Sequence, residues 1–583
     1  MLKKLETRLE ANRLLAPLLI AVCVFAVYVC SIPNNFVLDD PSQVLNVQVA
    51  GFDIPRIFGG SSFGVQGTST PAGQYYKPLM TTTYALIYKV FGANPAPFHL
   101  FQILLAMANA ILVFYLLKKF LHPTLALLLA LLFGVHPFNS EAVLYVSDLQ
   151  DMLFFFFGML GLLFATKHVL SKKDIALSVF FMLLSLLSKE TGLLFILMAV
   201  AYRLIFFRTK GNSNTLFVAL GVLLAFFIPL RFGAVGLPTT VDKPYPIMRL
   251  DLLGRLFNVP AEMFYYIRNF FFPYDFAIAQ HWVIKGVTLT TFYLPLTIDV
   301  LVILILSLFA LFLHRIKSTL LPIYIFFLLW FLLGMAAHLN IYPLDVTVAD
   351  RWFYMPGVGL IAMLGIMAAT YKLDRKQGFF LLFCIILFIL GVRTLVRTFD
   401  WRTGLTLATR DVQFANQSFP LENNLAFELI NVGRYDEALV HAQKSVEEGP
   451  WWWLNWNNLG VIYRHKGFTQ DPKYYKNAED AFRKAVANGG TFYLPYENLA
   501  ELLTNYDTPQ NAQAFIVASS QKITLSGRMF FDLAIVQLEL KDTKGALQAA
   551  NQARLMLPND PQVQALYQAI KAGKTITIRK PAY

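Results

Sequence analysis

An all-α chain, with a polytopic membrane body followed by a solenoid of helical hairpins, is the fold class this sequence predicts. Three observations point to it. Of 583 residues, 56% are hydrophobic and only 15% charged, against the roughly 25% charged of an ordinary soluble domain. About eleven apolar stretches approach the roughly 20 residues that cross a bilayer. After about Arg397 the composition turns polar and a period of roughly 34 residues sets in.

The apolar stretches lie near 12–31, 97–120, 123–137, 149–167, 175–188, 191–207, 215–231, 293–313, 320–338, 353–370 and 379–396. With a cytoplasmic N-terminus, alternate connections carry Lys118-Lys119, Lys167 with Lys172-Lys173, Arg208 with Lys210, Arg315 with Lys317, and Lys372 with Arg375-Lys376. The positive-inside rule places all of these in the cytoplasm. The net charge of +13 is thereby read as topology, not as a nucleic-acid surface. The first stretch is long and no small-residue cleavage pattern follows it cleanly, so it is expected to stay as a transmembrane helix. Leu252 to Phe272 contains Arg255, Pro260, Glu262 and Arg268, and a crossing there would reverse every later charge bias. It is expected to lie in the interface or to re-enter on the outer side. The same count puts the long loop 32–96 and everything after about Arg397 outside, in a periplasm, an ER lumen or at a cell surface. Cys23, Cys30 and Cys384 all fall in apolar spans, leaving neither a disulfide framework nor a metal spacing.

The repeats are read from two series. Leu425, Leu459, Leu499 and Leu533 are separated by 34, 40 and 34 residues, and Ala438, Ala478, Ala512 and Ala546 keep step, with an insertion near Asp471 to Tyr475. Asn458-Leu459-Gly460 with Tyr463, Gly433-Arg434-Tyr435 before Glu437-Ala438-Leu439, and the closing Pro450 and Pro558 agree with a tetratricopeptide pattern. About four stacked hairpins are expected over 421–572, after a membrane body over 1–400 and a connector over 401–420, with a tail at 573–583. An unrelated helical bundle would not produce so regular a period. Trp451-Trp452-Trp453 and Trp456 open the second repeat, where packing between repeats or against the membrane interface is favoured over ligand binding. Asn416-Gln417-Ser418 matches a glycosylation acceptor pattern that is too short to use.

The chemistry-bearing residues cluster at the outer boundary. Leu38-Asp39-Asp40-Pro41 alone reads as a turn or a helix cap. Its place beside the bilayer, in a loop that also holds Gln74-Tyr75-Tyr76-Lys77-Pro78, favours acid-base work on an anionic or sugar-bearing substrate. The next outer loop reads His136-Pro137-Phe138-Asn139-Ser140-Glu141, then Asp148 and Asp151. On one helix the last three acids would share a face, suited to a metal or polar substrate, or simply to solvent. Lys189-Glu190 by itself reads as a neutralised pair in a short connection. Arg351, with Tyr354 one turn on, would anchor a span or hold a lipid phosphate in its planar fork. Arg268, Asp275 and His281 add polar groups on the same side. There is no P-loop, dinucleotide fingerprint, zinc-protease motif or serine-nucleophile elbow.

Taken in order, several of these strings resemble the transmembrane and tetratricopeptide-repeat (TMTC-type) protein O-mannosyltransferases, within the GT-C class of lipid-phosphate-sugar glycosyltransferases. Phe36-Val37-Leu38-Asp39-Asp40 is similar to the family's Phe-Asp-Asp, Tyr76-Lys77-Pro78-Leu79 to its Tyr-Arg-Pro-Leu, and Phe98-His99-Leu100 to the start of its next helix. His136-Pro137 with Ser140-Glu141-Ala142-Val143 and Asp151 keeps the family spacing. Lys189-Glu190, Arg351 with Tyr354 and Pro356, and Asp400-Trp401-Arg402 complete a colinear match over nearly the whole chain. The departures are Lys77 for arginine, Asn139 for a second histidine and Ser140 for threonine. Asn139 removes any metal or acid-base role for that histidine.

The resemblance implies transfer of a hexose from a polyprenyl- or dolichyl-phosphate donor to a hydroxyl, of protein Ser or Thr, by a single inverting displacement. Asp39 would be the base and Asp40 its orienting partner. Arg351, Lys189, Lys77 and Arg268 would face the donor phosphate, while His136, Glu141, Asp151, Glu190 and Tyr354 would shape the sugar and acceptor side. No tightly bound cofactor is expected, although a divalent cation is compatible with the site. The repeats would recruit a protein or peptide acceptor. The competing class is a non-catalytic membrane scaffold whose repeats assemble envelope or secretion partners. A transporter ranks last, for want of matched Gly/Pro-broken spans.

Overall fold

The computed structural model describes residues 2–44, 51–62, 75–208, 210–236, 245–415 and 418–573. Gln74, the acceptor pattern at Asn416-Gln417 and the tail from 574 lie outside them. The chain divides into two compact units, the second beginning at Gln417.

A helix lies at each apolar stretch. In chain order the body contains α1 (Leu15–Tyr28), α2 (Pro78–Phe91), α3 (Pro95–Leu117), α4 (Pro123–Val135), α5 (Leu149–Ala165), α6 (Lys172–Ser188) and α7 (Leu193–Phe206). It continues with α8 (Ser213–Val235), α9 (Leu252–Phe271), α10 (Leu294–Arg315), α11 (Leu321–Ala336), α12 (Tyr354–Thr370), α13 (Gln377–Asp400) and α14 (Gly404–Asp411). Six of them (α3, α5, α8, α10, α12 and α13, some with a leading turn) are each long and apolar enough to cross a membrane, and α4 with the short helical segment after it forms a pair bent by 48°. The chain is a membrane protein on that count. α6 and α7, at 17 and 14 residues, are shorter than a full crossing.

The helix starts follow from local chemistry. Asn94 caps α3 ahead of Pro95, Ser171 and Asp174 close a capping box on α6, and Asp251 caps α9. Close approach of α11 and α12 depends on Gly359, where a Cβ would come within 2.8 Å of the Phe327 carbonyl oxygen and the Phe331 amide nitrogen. α9 carries a buried polar and aromatic stripe of Asn258, Glu262, Tyr265, Tyr266 and Asn269. It therefore faces protein along one side. Among the described residues the β structure is one isolated antiparallel bridge, Gln280 with Val348.

The second unit is a succession of helices: α15 (Phe419–Asn431), α16 (Tyr435–Glu448), α17 (Trp453–Thr469), α18 (Tyr474–Gly489), α19 (Tyr493–Tyr506), α20 (Pro509–Ser519), α21 (Gly527–Glu539), α22 (Thr543–Met556) and α23 (Pro561–Lys571). Each packs on the next. The small residues of the predicted period, Ala438, Ala478, Ala512 and Ala546, are all buried. Ala478 and Ala512 share a core with Phe482, Leu499, Leu502 and Leu503. The tryptophans pack within this unit: Trp451 and Trp452 meet Phe419, and Trp453 stacks on Phe492 at 5.0 Å.

Candidate functional site

The two aspartates are adjacent in sequence and opposite in circumstance. After α1 the chain is pinned to the end of α13: Asn34 Nδ2 donates to the Thr398 carbonyl at 3.0 Å, and the Asn35 amide to the Arg402 carbonyl at 3.0 Å. Leu38 then takes a left-handed φ of 51°, a conformation that costs a non-glycine residue of order 1 kcal/mol. The turn it makes sends Asp40 inward. Asp40 is buried and accepts hydrogen bonds from the Val37 amide at 3.0 Å and from both the amide and hydroxyl of Ser147 at 2.7 Å. Burial pushes its carboxyl up to about 7 against the pull of those donors. Its work is to tie the loop to the segment ahead of α5.

Asp39 is exposed. Its Oδ2 accepts from the Tyr145 hydroxyl at 3.0 Å. The surrounding protein nevertheless raises its carboxyl above the usual carboxylate range by desolvation, and Tyr145, Arg351 and Lys77 oppose that rise. A carboxylate that is exposed yet partly desolvated can meet a hydroxyl and still be basic enough to take its proton. Tyr145 is held by the Gln102 side chain on its carbonyl at 2.6 Å, and its ring lies 5.8 Å from that of Trp401.

Glu141, Asp148 and Asp151 were expected on one helical face. They lie instead on three consecutive pieces, Ser140–Leu144, Val146–Asp148 and the first turn of α5, because the backbone extends at Tyr145. The break still brings the acids together, around two cations. Arg351 binds Glu141 through its guanidinium and its amide, and its Nε lies 3.3 Å from Asp148. Lys189 Nζ lies 2.5 Å from Asp151. Both cations keep 16% of their side-chain surface exposed, so neither is wholly enclosed by its carboxylates. Lys77 Nζ sits 4.5 Å over the Tyr75 ring. Burial, and after it the charge of Lys189, lowers its ammonium to about 8.

The other expected residues are engaged differently. Arg268 pairs with Asp275 at 3.2 Å, and Glu190 with Arg231 at 2.7 Å. His136 has both ring nitrogens committed to backbone, one with the Phe270 carbonyl at 2.9 Å and one accepting from the Phe138 amide at 3.1 Å. It braces the α4 bend. Asn139 fills the place of the absent histidine by donating to the Phe133 carbonyl at 2.7 Å. Tyr354 is buried between Phe133 and Phe155, with its hydroxyl accepting from Asn109.

Sequence reasoning overlooked Tyr145, Ser147, Tyr245 and Asp345. Tyr75 donates to Asp345 Oδ2 at 3.3 Å, and Tyr245 stacks on His281 at 4.5 Å. Their only signal in the sequence was a polar or aromatic residue at a membrane boundary. Among the described residues no group of three or more His, Cys, Asp or Glu side chains is disposed to hold a metal ion.

An exposed carboxylate with a tyrosine hydroxyl on it and the charges of Arg351 and Lys77 acting on it, with Lys189 acting in turn on Lys77, is an arrangement able to take a proton from a hydroxyl and to stabilise a departing phosphate.

Comparison with known proteins fits this picture. Residues 76–231 match the family model of dolichyl-phosphate-mannose-protein mannosyltransferases. The chain is 24% identical over 439 residues to the protein O-mannosyl-transferase F38B6.6 of Caenorhabditis elegans, covering 73% of this chain and 61% of that one. It is 21% identical over 615 residues to human TMTC3, covering 91% of this chain and 66% of that one. Mouse TMTC4 is 31% identical over 190 residues, 28% of this chain and 26% of its own. The chain thus spans somewhat under two thirds of the length of its first relatives. A thermophilic TPR protein of Thermus thermophilus is similar at 16% identity over 30% of this chain and 92% of its own, with a TM-score of 0.25, too distant to carry an argument. In sequence, then, the chain is similar to the TMTC-type protein O-mannosyl-transferases, and the segment matched by the family model contains Lys77, His136, Glu141, Asp151 and Lys189.

Proposed function

We propose that this protein is a membrane glycosyltransferase that moves a mannose from a polyprenyl- or dolichyl-phosphate donor to a serine or threonine hydroxyl of a protein. The observation that carries the reading is the division between Asp39, exposed and held by Tyr145, and Asp40, buried under three donors. Asp39 removes the acceptor hydroxyl proton as the oxygen attacks the anomeric carbon. The bond from that carbon to the phosphate oxygen breaks, the lipid phosphate leaves with the electron pair, and the configuration inverts. Lys77, Arg351 and Lys189 face the phosphate as its charge grows. Glu141, Asp148 and Asp151 hold the last two cations in position. The N-terminus is cytoplasmic, and the site and the helical repeats lie on the opposite face, where the repeats present the acceptor.

The test is transfer from a panel of radiolabelled polyprenyl-phosphate sugars to protein, comparing the native chain with Asp39→Asn. Mannose transfer that the substitution abolishes is the expected result. If no donor labelled any protein fraction, the scaffold reading would replace this one.

A further inference from the structure

A set of groups beside Asp39 is used neither by the proton transfer nor by the phosphate. Tyr245 and His281 lie ring on ring, with planes inclined by 29°. His281 is buried and its Nδ1 meets the Ala279 carbonyl at 2.5 Å, whereas Tyr245 is only partly buried. Burial lowers the His281 imidazole to about 4, so it backs the tyrosine as a neutral ring at physiological pH. The backing is fixed. Gln280 bridges to Val348, the Thr347 amide donates to the Gln280 carbonyl at 2.9 Å, and the Thr347 hydroxyl to the Trp282 carbonyl at 2.6 Å.

The same bridge brings Asp345 to this corner. Its carboxylate takes the Tyr75 hydroxyl and stays partly exposed. It acts electrostatically on Tyr245, His281 and Asp39, and Asp39 acts on Tyr245 in turn. The Tyr75 that holds Asp345 also carries Lys77 4.5 Å over its ring, so the corner adjoins one of the phosphate-facing cations. A hexose presents an apolar C–H face and a rim of hydroxyls. An aromatic face accommodates the first, and a carboxylate accepts strong hydrogen bonds from the second. His136 and Tyr354, expected on the sugar side, are both buried, His136 with its two ring nitrogens on backbone and Tyr354 between Phe133 and Phe155.

We propose that Tyr245, backed by His281, and Asp345, held by Tyr75, form the hexose subsite of this centre, stacking the sugar and accepting its hydroxyls while Asp39 faces the anomeric carbon's attacker. This rests on the transferase reading, and the experiment separates the two. Binding of short-chain polyprenyl-phosphate mannose and of the bare polyprenyl phosphate is measured on the purified full-length chain, with Tyr245→Ala, Asp345→Asn and Asp39→Asn beside it. The native chain and Asp39→Asn prefer the sugar-bearing lipid by roughly tenfold or more, the scale of one charge-assisted hydrogen bond. Tyr245→Ala and Asp345→Asn bind the bare lipid as the native chain does and lose that preference. The proposal is overturned if both variants keep the preference, if the native chain has none, or if the variants lose both lipids alike. Because turnover is not read, an inactive but sugar-discriminating protein would reject the transferase reading and leave the subsite standing.

Discussion

Asp39 and Asp40 show how one peptide unit separates two roles. The left-handed Leu38 and the three hydrogen bonds to Asp40 fix the turn, leaving the Asp39 carboxylate, among the described residues, the Tyr145 hydroxyl and a view of solvent. Asp39→Asn removes a base without removing a support. Transfer should fall by about 10²- to 10⁴-fold while thermal stability changes by less than roughly 0.5 kcal/mol, and calorimetry alongside the assay checks both. The pH profile follows from the same neighbourhood. A base works when deprotonated, so the acid limb lies above the ordinary carboxylate range because desolvation raises Asp39. A phosphate-facing lysine works when protonated, so activity declines as pH rises through the value of about 8 set by burial at Lys77. Lys77→Arg keeps its proton throughout and should abolish the alkaline limb. An unchanged limb in the pH–rate profile would release Lys77 from that role. The aspartate pair and the cations were legible in the sequence because charged residues at a membrane boundary stand out. Tyr145 and Asp345 were not, since each acquires its role from a partner 106 or 270 residues away.

At the scale of elements, apolar runs and capping residues announced the helices, and the broken acid face shows where that reading stops. Spacings of seven and three place Glu141, Asp148 and Asp151 together on an ideal helix. The chain reaches the same convergence through a break at Tyr145, which also delivers a tyrosine to Asp39. Periodicity cannot register such a break, because the turn after it is held by Asp40, whose carboxylate takes the Ser147 hydroxyl from 107 residues away. In the second unit the pattern was more transparent, since each hairpin repeats its small residues where helices touch. Gly460 is one of them: a Cβ there would come within 2.5 Å of the Phe482 ring, which is fully buried. Gly460→Ala gains helix propensity yet should lower stability by about 1–3 kcal/mol. A denaturant midpoint that rises instead would mean that the α17–α18 contact is loose.

At the scale of the whole molecule, the proposed labour is split between a body that holds the donor and repeats that hold the acceptor. Ending the chain at residue 415 should leave binding of polyprenyl-phosphate mannose within about twofold. Transfer to a folded protein acceptor should drop by roughly 10²-fold or more, as a tethered encounter becomes a bimolecular one. Transfer to a short serine-rich peptide at millimolar concentration should survive. Equal loss for protein and peptide would place the repeats in the catalytic fold instead.

The buried pair at the end of the body bears on this split. Arg397 grips Asp411 with both nitrogens, at 2.7 and 3.1 Å, and Asp411 also takes the Ile278 amide at 2.8 Å. It does so after the chain has passed Thr398 and Arg402, the two carbonyls that hold the loop of Asp39. Arg397 precedes and Asp411 follows those carbonyls, so the clamp closes the chain into a loop that contains both, as a grommet holds a cable. The contacts that hold the Asp39 loop are thus all made before residue 415, so a change of length in the chain after it should leave what Asp39 touches the same.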